Sequence, residues 1–451
     1  MAISRETIEK KSILYGTLRP YVDLVTKTYF RTTVHNYKNV PKSENIIYAP
    51  NHQNALMDAL AILATVETQP VFLARADIFK KKIIAKILTF FKMLPIYRIR
   101  DGKESLGNNE AIFRKTVDVL KNKNGLVILP EGNHAGYRKL RTLKKGISRI
   151  AFEAEEANDF QLNIKIIPVG LDWTHYYHFR SKLFVNFGEP IPVSDYYEEY
   201  KKNPPRAMNL LRERVAHELK KYMIHIDHDK YYAMFDQMRY IYLPQMIKKL
   251  GFKNQKQPNN FDAQKEIISC LNNFVESKPD EAEELLKKTK KYSDLLKTLN
   301  FRHWVLQKSP FSFIGNSIQF LFLLILSPAY LYGATLNYLP YKIPVLATKR
   351  IKDPQFISSV RTVVALVVLL IYYILLTVIG LFVLDLWWMK IAFPVSLPLT
   401  GLFAFHYYIA LKKWFAKVRY NFKTWFNNKE LNELESHYHS IITSMDAIVN
   451  K

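Results

Sequence analysis

The sequence predicts an α/β domain with a mostly buried sheet flanked by helices, then a helical connector and C-terminal membrane helices. Three observations predict it. Short, fully apolar runs recur through residues 41–228, separated by segments with helical spacing. Residues 229–308 are polar and helical in pattern. Uncharged runs long enough to cross hydrocarbon follow residue 308. Apolar runs without alternation, bounded by turn residues, fit strands covered on both faces.

The elements follow in order. Residues 1–40 hold an N-terminal amphipathic helix, strongest over 13–35, where Leu14, Leu18, Val22, Leu24, Val25, Tyr29 and Phe30 mix with Lys27 and Arg31. Two seats are open to it, the bilayer interface or the face of the following domain. Asn45–Ala49 is a short strand stopped by Pro50, and 56–65 is an Ala/Leu-rich helix. Val71–Ala74 is a strand, Ala85–Met93 an apolar helix and Glu110–Lys121 a helix. Gly125–Leu129 is an apolar strand, again ended by proline, and Leu143–Glu155 is a helix. Ile164–Gly170 and Leu183–Phe187 are further strands, and Pro204-Pro205 opens a helix reaching about Ile224. In the connector, Pro279-Asp280 starts a helix that carries Glu283–Lys287 and Glu284–Lys288 pairs at favourable spacing.

The membrane part begins with a run over 311–339, interrupted by Ser327-Pro328 and Gly333. Val363–Leu384 has 22 residues without a charge, enough to span the hydrocarbon. Ile391–Leu411 is uncharged and contains Pro394 and Pro398; Trp387 and Trp388 sit between the two runs, where an interfacial belt would place them. Arg302 and Lys308, the 340–361 loop with five basic residues, and Lys412, Lys413, Lys417, Arg419 and Lys423 all read as cytoplasmic by the positive-inside rule. Three simple spans do not satisfy that. Residues 309–340 are therefore expected to be a re-entrant or interfacial hairpin bent near Pro328, with 361–411 a transmembrane hairpin and 412–451 a basic, then polar, cytosolic tail. A single span at 309–340 is the alternative.

Bulk properties limit the partners. The 451 residues allow two to four structural units. Lys and Arg number 65 against 40 Asp and Glu, a formal net charge of +25, which suits nucleic acid or an anionic membrane surface. No zinc-finger, RNP or basic-zipper pattern is present, so nucleic acid is not an expected partner and the lipid bilayer is. The single cysteine, Cys270, excludes an internal disulfide framework and a Cys-rich metal site; it sits among Ile267, Ile268, Leu271 and Phe274 as a packed thiol. No metal and no resident cofactor are expected. The first 30 residues are broken by charges and do not read as a signal peptide. The α/β domain is thus expected on the cytoplasmic side of a multi-pass membrane protein, and the Lys/Asn-rich composition points to a bacterial inner membrane.

Several residues carry chemistry. His52 follows the first strand, and Asp58 lies about one helical turn later. A neutral histidine is the usual base near pH 7, and an aspartate on its other nitrogen fixes the tautomer and stabilises the imidazolium. No serine or cysteine nucleophile with a recognisable elbow is present, so direct transfer to a hydroxyl is simpler than a covalent intermediate. Pro95-Ile-Tyr-Arg98-Ile-Arg100 sets two guanidiniums after an apolar segment, suited to bidentate phosphate recognition. Leu129-Pro-Glu131-Gly132-Asn-His134 follows a buried strand; the glycine lets backbone approach a ligand, and the glutamate is an acceptor for a hydroxyl. Lys144 and Lys145 precede Gly146 and are candidates for contacts to a phosphate or to a thioester carrier. Pro168, in Ile167-Pro168-Val169, ends the next strand as a pocket wall, with Val169 in ordinary strand packing.

The order and spacing of these blocks resemble the glycerophosphate acyltransferase superfamily, which includes lysophosphatidic acid acyltransferases, over about residues 20–195. The resemblance implies an enzyme that moves a fatty acyl group from acyl-CoA or acyl-carrier protein, as co-substrate, to the hydroxyl of a phosphorylated glycerol acceptor in phospholipid synthesis. It implies His52 as base with Asp58 as its partner. It implies Arg98 as the phosphate-binding arginine; Arg100 and Lys144 are further candidates for the phosphate from the residues themselves. Glu131 and Gly132 would belong to the acceptor site and Pro168 to the fourth block. Five residues separate His52 from Asp58, where four are commonest in the superfamily. That spacing, the proline before the arginine block and Glu131-Gly-Asn-His134…Leu143-Lys144-Lys-Gly146 resemble the fungal-type glycerol-3-phosphate/dihydroxyacetone-phosphate acyltransferases. Asn133 stands where Thr or Ser is usual, which leaves glycerol-3-phosphate, lysophosphatidate and another lyso-lipid or aminolipid open as acceptor. An inactive lipid-binding scaffold is the competing function of another class.

Overall fold

The computed structural model describes residue 8 and residues 13–42, 44–97, 108–351 and 353–450. The chain forms two compact units: Met1–His225 with Arg350–Thr362, and Ile226–Lys349 with Val363–Lys451.

The first unit opens with helix α1 (Ile13–Tyr29) and strand β1 (Arg31–His35). It continues through β2 (Ile46–Pro50), α2 (Leu56–Leu63), β3 (Val71–Arg75), α3 (Lys82–Phe90), β4 (Met93–Ile96), α4 (Asn108–Lys121) and β5 (Leu126–Val127). Then come α5 (Gly146–Glu156), β6 (Lys165–Trp173), β7 (Lys182–Phe187), β8 (Ile191–Pro192), α6 (Tyr197–Lys202) and α7 (Pro204–Tyr222). The strands make one eight-stranded sheet in the order β1-β7-β6-β2-β5-β3-β4, with β8 on the start of β6. All pairings are parallel except those of β6 with β7 and β8.

Alternation of side chains across each strand explains the apolar runs. On β2, Ile47 and Ala49 join a core with Leu126, Ile166, the α5 residues Ile147 and Ile150, and the α7 residues Leu211 and Val215. Ile46 and Tyr48 face the other way, into a core with Val127, Ile167, Trp173 and the α2 residues Met57 and Ile62. The sheet is therefore covered on both faces, as expected. Asn203 caps α7 by accepting from the Arg206 N–H at 3.2 Å, and two prolines occupy its first positions. The end of α7 presses so closely on β6 that a Cβ on Gly170 would lie 1.7 Å from the Tyr222 carbonyl oxygen.

Two expectations need correction in this unit. The amphipathic N-terminal helix does not run to residue 35; it ends at Tyr29, and Arg31–His35 pair with β7 as an edge strand. The β-branched run Thr32-Thr33-Val34 favours the extended state. The apolar segment ending near Met93 is a helix only to Phe90, because Met93–Ile96 pair with β3.

The second unit holds the connector helices α8 (Tyr232–Ile241), α9 (Leu243–Lys249), α10 (Gln257–Ser277), α11 (Pro279–Thr298) and α12 (His303–Lys308). The long helices follow: α13 (Phe313–Ala347), α14 (Ile357–Val383), whose first turn belongs to the first unit, α15 (Trp387–Trp425) and α16 (Lys429–Val449). Three of these, α13 to α15, are long and apolar enough to cross a membrane. The hairpin expected at Pro328 is not made: α13 is continuous over 35 residues. Pro328 cannot donate to the Leu324 carbonyl, but the Ser327 hydroxyl does, at 2.7 Å, so the freed acceptor is satisfied without opening the helix.

Candidate active site

The site grows from the ends of β2 and β5, neighbours in the sheet, where parallel strands of an open sheet present their ligand-binding loops. Asn51 fixes the exit from β2. Its side chain donates to the Leu171 carbonyl at 3.1 Å and accepts the Leu171 N–H at 2.6 Å, extending the β2–β6 pairing by a side chain. His52 follows, 14% exposed, and Asp58 is fully buried in the first turn of α2.

His52 Nδ1 lies 2.9 Å from Asp58 Oδ2. The same oxygen accepts the Gln53 N–H at 2.8 Å and the Asn54 N–H at 2.7 Å, and Oδ1 accepts the Trp173 indole N–H at 2.9 Å. A carboxylate with this many donors acts as an acceptor, so Nδ1 carries the proton and Nε2 is the nitrogen left to take one. The turn between the two residues is tight. Ala55 sits at φ 44°, a left-handed conformation that costs a non-glycine residue about 1–3 kcal/mol.

Glu131, after β5, ties this turn to the next loop. It is almost completely buried; Oε1 accepts the His52 N–H at 2.7 Å and Oε2 the Arg141 N–H at 3.1 Å. Burial pushes its carboxyl up to about 7 against those two N–H groups, and the Asp58 charge adds to the rise. His134 packs its ring against that of His52, with centroids 5.3 Å apart. Burial pulls His134 down to about 4, the nearby His52 adds to the fall, and Asp353 and Asp58 oppose it. Gly132 has φ +67°, and a Cβ there would meet Lys144 Cγ at 3.1 Å. Lys144 donates its backbone N–H to the Pro130 carbonyl at 2.8 Å and is exposed beside the start of α5.

The structure thus bonds His52 to Asp58 and ties Glu131 to them through the His52 N–H, while Gly132 and Lys144 pack side by side in the loops next to Glu131. Pro168 is buried within β6, opposite Ala49 of β2, and its carbonyl accepts the Gly188 N–H at 2.8 Å. Arg98 and Arg100 lie outside the described residues. Sequence reasoning missed Trp173 as a donor to Asp58, the bracketing by Asn51 and the placing of His134 against His52. An indole 115 residues from its acceptor leaves no local pattern.

Residues 31–172 match the family model described as Acyltransferase. These residues form an acyltransferase-family domain. The domain's relatives include glycerol-3-phosphate O-acyltransferase 2 of Saccharomyces cerevisiae, 32% identical over 117 residues, which cover 26% of this chain and 16% of that protein. Glycerol-3-phosphate O-acyltransferase 1 of the same yeast is 26% identical over 106 residues, 24% of this chain and 14% of that protein. The match therefore spans less than a fifth of either relative. Among solved structures, the 1-acyl-sn-glycerophosphate (LPA) acyltransferase PlsC from Thermotoga maritima aligns with 48% of this chain and 86% of its own, at 19% identity and a TM-score of 0.33. Acyltransferase residues 31–172 contain both members of the His52–Asp58 pair, Glu131, Lys144 and Pro168.

Proposed function

We propose that the protein transfers a fatty acyl group from a thioester, acyl-CoA or acyl-carrier protein, to a glycerophosphate hydroxyl, with glycerol-3-phosphate as first acceptor and lysophosphatidate as second. The carrying observation is the His52 Nδ1–Asp58 Oδ2 bond at 2.9 Å beside a carboxylate that holds three further donors. His52 Nε2 takes the acceptor's hydroxyl proton as the oxygen attacks the thioester carbonyl. The tetrahedral intermediate collapses, the C–S bond breaks, and the imidazolium returns the proton to the leaving thiolate. Asp58 stabilises the imidazolium between the two steps.

Glu131 supports the reaction by holding the backbone of His52 and Arg141. Lys144, exposed over Gly132, offers its ammonium to the acceptor phosphate together with Arg98 and Arg100. The three long apolar helices and the +25 charge suit a bilayer in which a two-chain product stays dissolved, with the acyltransferase domain on the cytoplasmic face.

The test is acyl transfer by the purified full chain with a long-chain acyl-CoA, glycerol-3-phosphate or lysophosphatidate, and His52→Ala as control. Product from glycerol-3-phosphate supports a first-step enzyme; product from lysophosphatidate alone assigns the second step. Transfer to neither, or wild-type turnover by His52→Ala, overturns the proposal.

A further inference from the structure

Helix α2 begins with a defect. Its first amide, Leu56 N–H, has no intrahelical partner, and the residue in the capping position is Ala55, which has no side-chain acceptor. Ala55 is also the strained residue of the catalytic turn. The missing acceptor comes from 303 residues away: Leu56 donates to Ser359 Oγ at 3.2 Å. The adjacent Ser358 Oγ donates to Asn54 Oδ1 at 2.6 Å, while Asn54 Nδ2 donates to the Tyr176 carbonyl at 3.0 Å. Ser358 and Ser359 are buried. Upstream, the Phe356 ring lies 4.8 Å from His134, whose ring in turn faces His52. Downstream, the Arg361 guanidinium stands 5.8 Å above the Tyr177 ring. Residues 350–362 accordingly belong to the same compact unit as the sheet, although in sequence they join two of the long apolar helices.

We propose that residues 353–361 are a positioning strap for the catalytic turn, with Ser359 capping α2 in place of Ala55 and Ser358 fixing Asn54. The role rests on His52 acting as the base of acyl transfer. The strap acts through geometry. The Gln53 and Asn54 amides given to Asp58 and the His52–Asp58 bond all belong to the turn that Ser358 and Ser359 hold at its far end. A segment leading into an apolar helix thereby sets the geometry of the base.

The experiment compares full-chain wild type, Ser359→Ala and Ser359→Thr in lipid nanodiscs. Hydrogen exchange of residues 53–58 is read beside kcat and KM for acyl-CoA and glycerol-3-phosphate. For Ser359→Ala, exchange in 53–58 rises and kcat falls, each by about tenfold, the scale of a lost helix cap, with both KM values within about twofold. Threonine keeps the hydroxyl and restores both. Unchanged exchange in Ser359→Ala, equal losses in the threonine variant, or faster exchange throughout the sheet would each overturn the strap. If wild type transfers no acyl group, the acyl-transfer assignment fails, and the exchange comparison still decides the strap.

Discussion

At the residue scale the site is a set of buried acceptors matched to distant donors. His52→Ala should lower kcat by roughly 10²–10⁴-fold, the usual contribution of a general base, while the protein still inserts and folds; a steady-state assay beside a thermal melt checks both. Trp173→Phe keeps the ring but removes the indole donor from Asp58. It should destabilise the first unit by about 1.5–3 kcal/mol, measured by denaturant unfolding, and lower kcat with it. Two titrations oppose each other. Glu131, raised to about 7, binds its proton more tightly in the folded state, so its contribution to stability is lost as pH rises from about 4.5 to 7. His134, lowered to about 4, resists protonation in the folded state, so its contribution is present above about 6.5 and lost as pH falls towards 4. Thermal midpoints taken from pH 4.5 to 6.5 should therefore climb more steeply in Glu131→Gln than in wild type, and less steeply in His134→Phe. The His52 and Glu131 positions were legible in the sequence because each follows a strand end marked by proline; Asp58 was legible from its spacing to His52, and Lys144 from its place just before Gly146 at the start of α5. Trp173, Asn51 and Ser359 were not. Their partners are set by the sheet order and by a segment some 300 residues away, which no local spacing encodes.

At the scale of elements, most strands announced themselves through apolar runs, and their flanking helices through period and proline placement. Misplaced boundaries share one cause: short segments whose pairing partner decides between helix and strand. Arg31–His35 and Met93–Ile96 extend because β7 and β3 offer free edges. The continuity of α13 was illegible for a different reason, since one serine hydroxyl compensates the proline beside it. The tightest element contact is α7 on β6. Gly170→Ala forces the two apart and should cost about 3 kcal/mol or more, visible as a lower melting midpoint or as loss of soluble, ordered protein.

For the whole molecule, charge and hydrocarbon act together. A net +25 chain with three long apolar helices should turn over faster on anionic than on zwitterionic mixed micelles. The difference should shrink as salt rises, because each cation near an anionic surface contributes about 1 kcal/mol and the screening length falls from about 10 Å at 0.1 M to about 3 Å at 1 M. Equal rates at all salt concentrations would show that the helices alone set membrane engagement. A different consequence comes from Glu131, whose two oxygens each hold one loop. Those loops share one anchor, so neither can change length by itself without pulling the other out of register. In a lineage of such chains, insertions near His52 should arrive in company with compensating changes near Arg141, as correlated inheritance rather than independent drift.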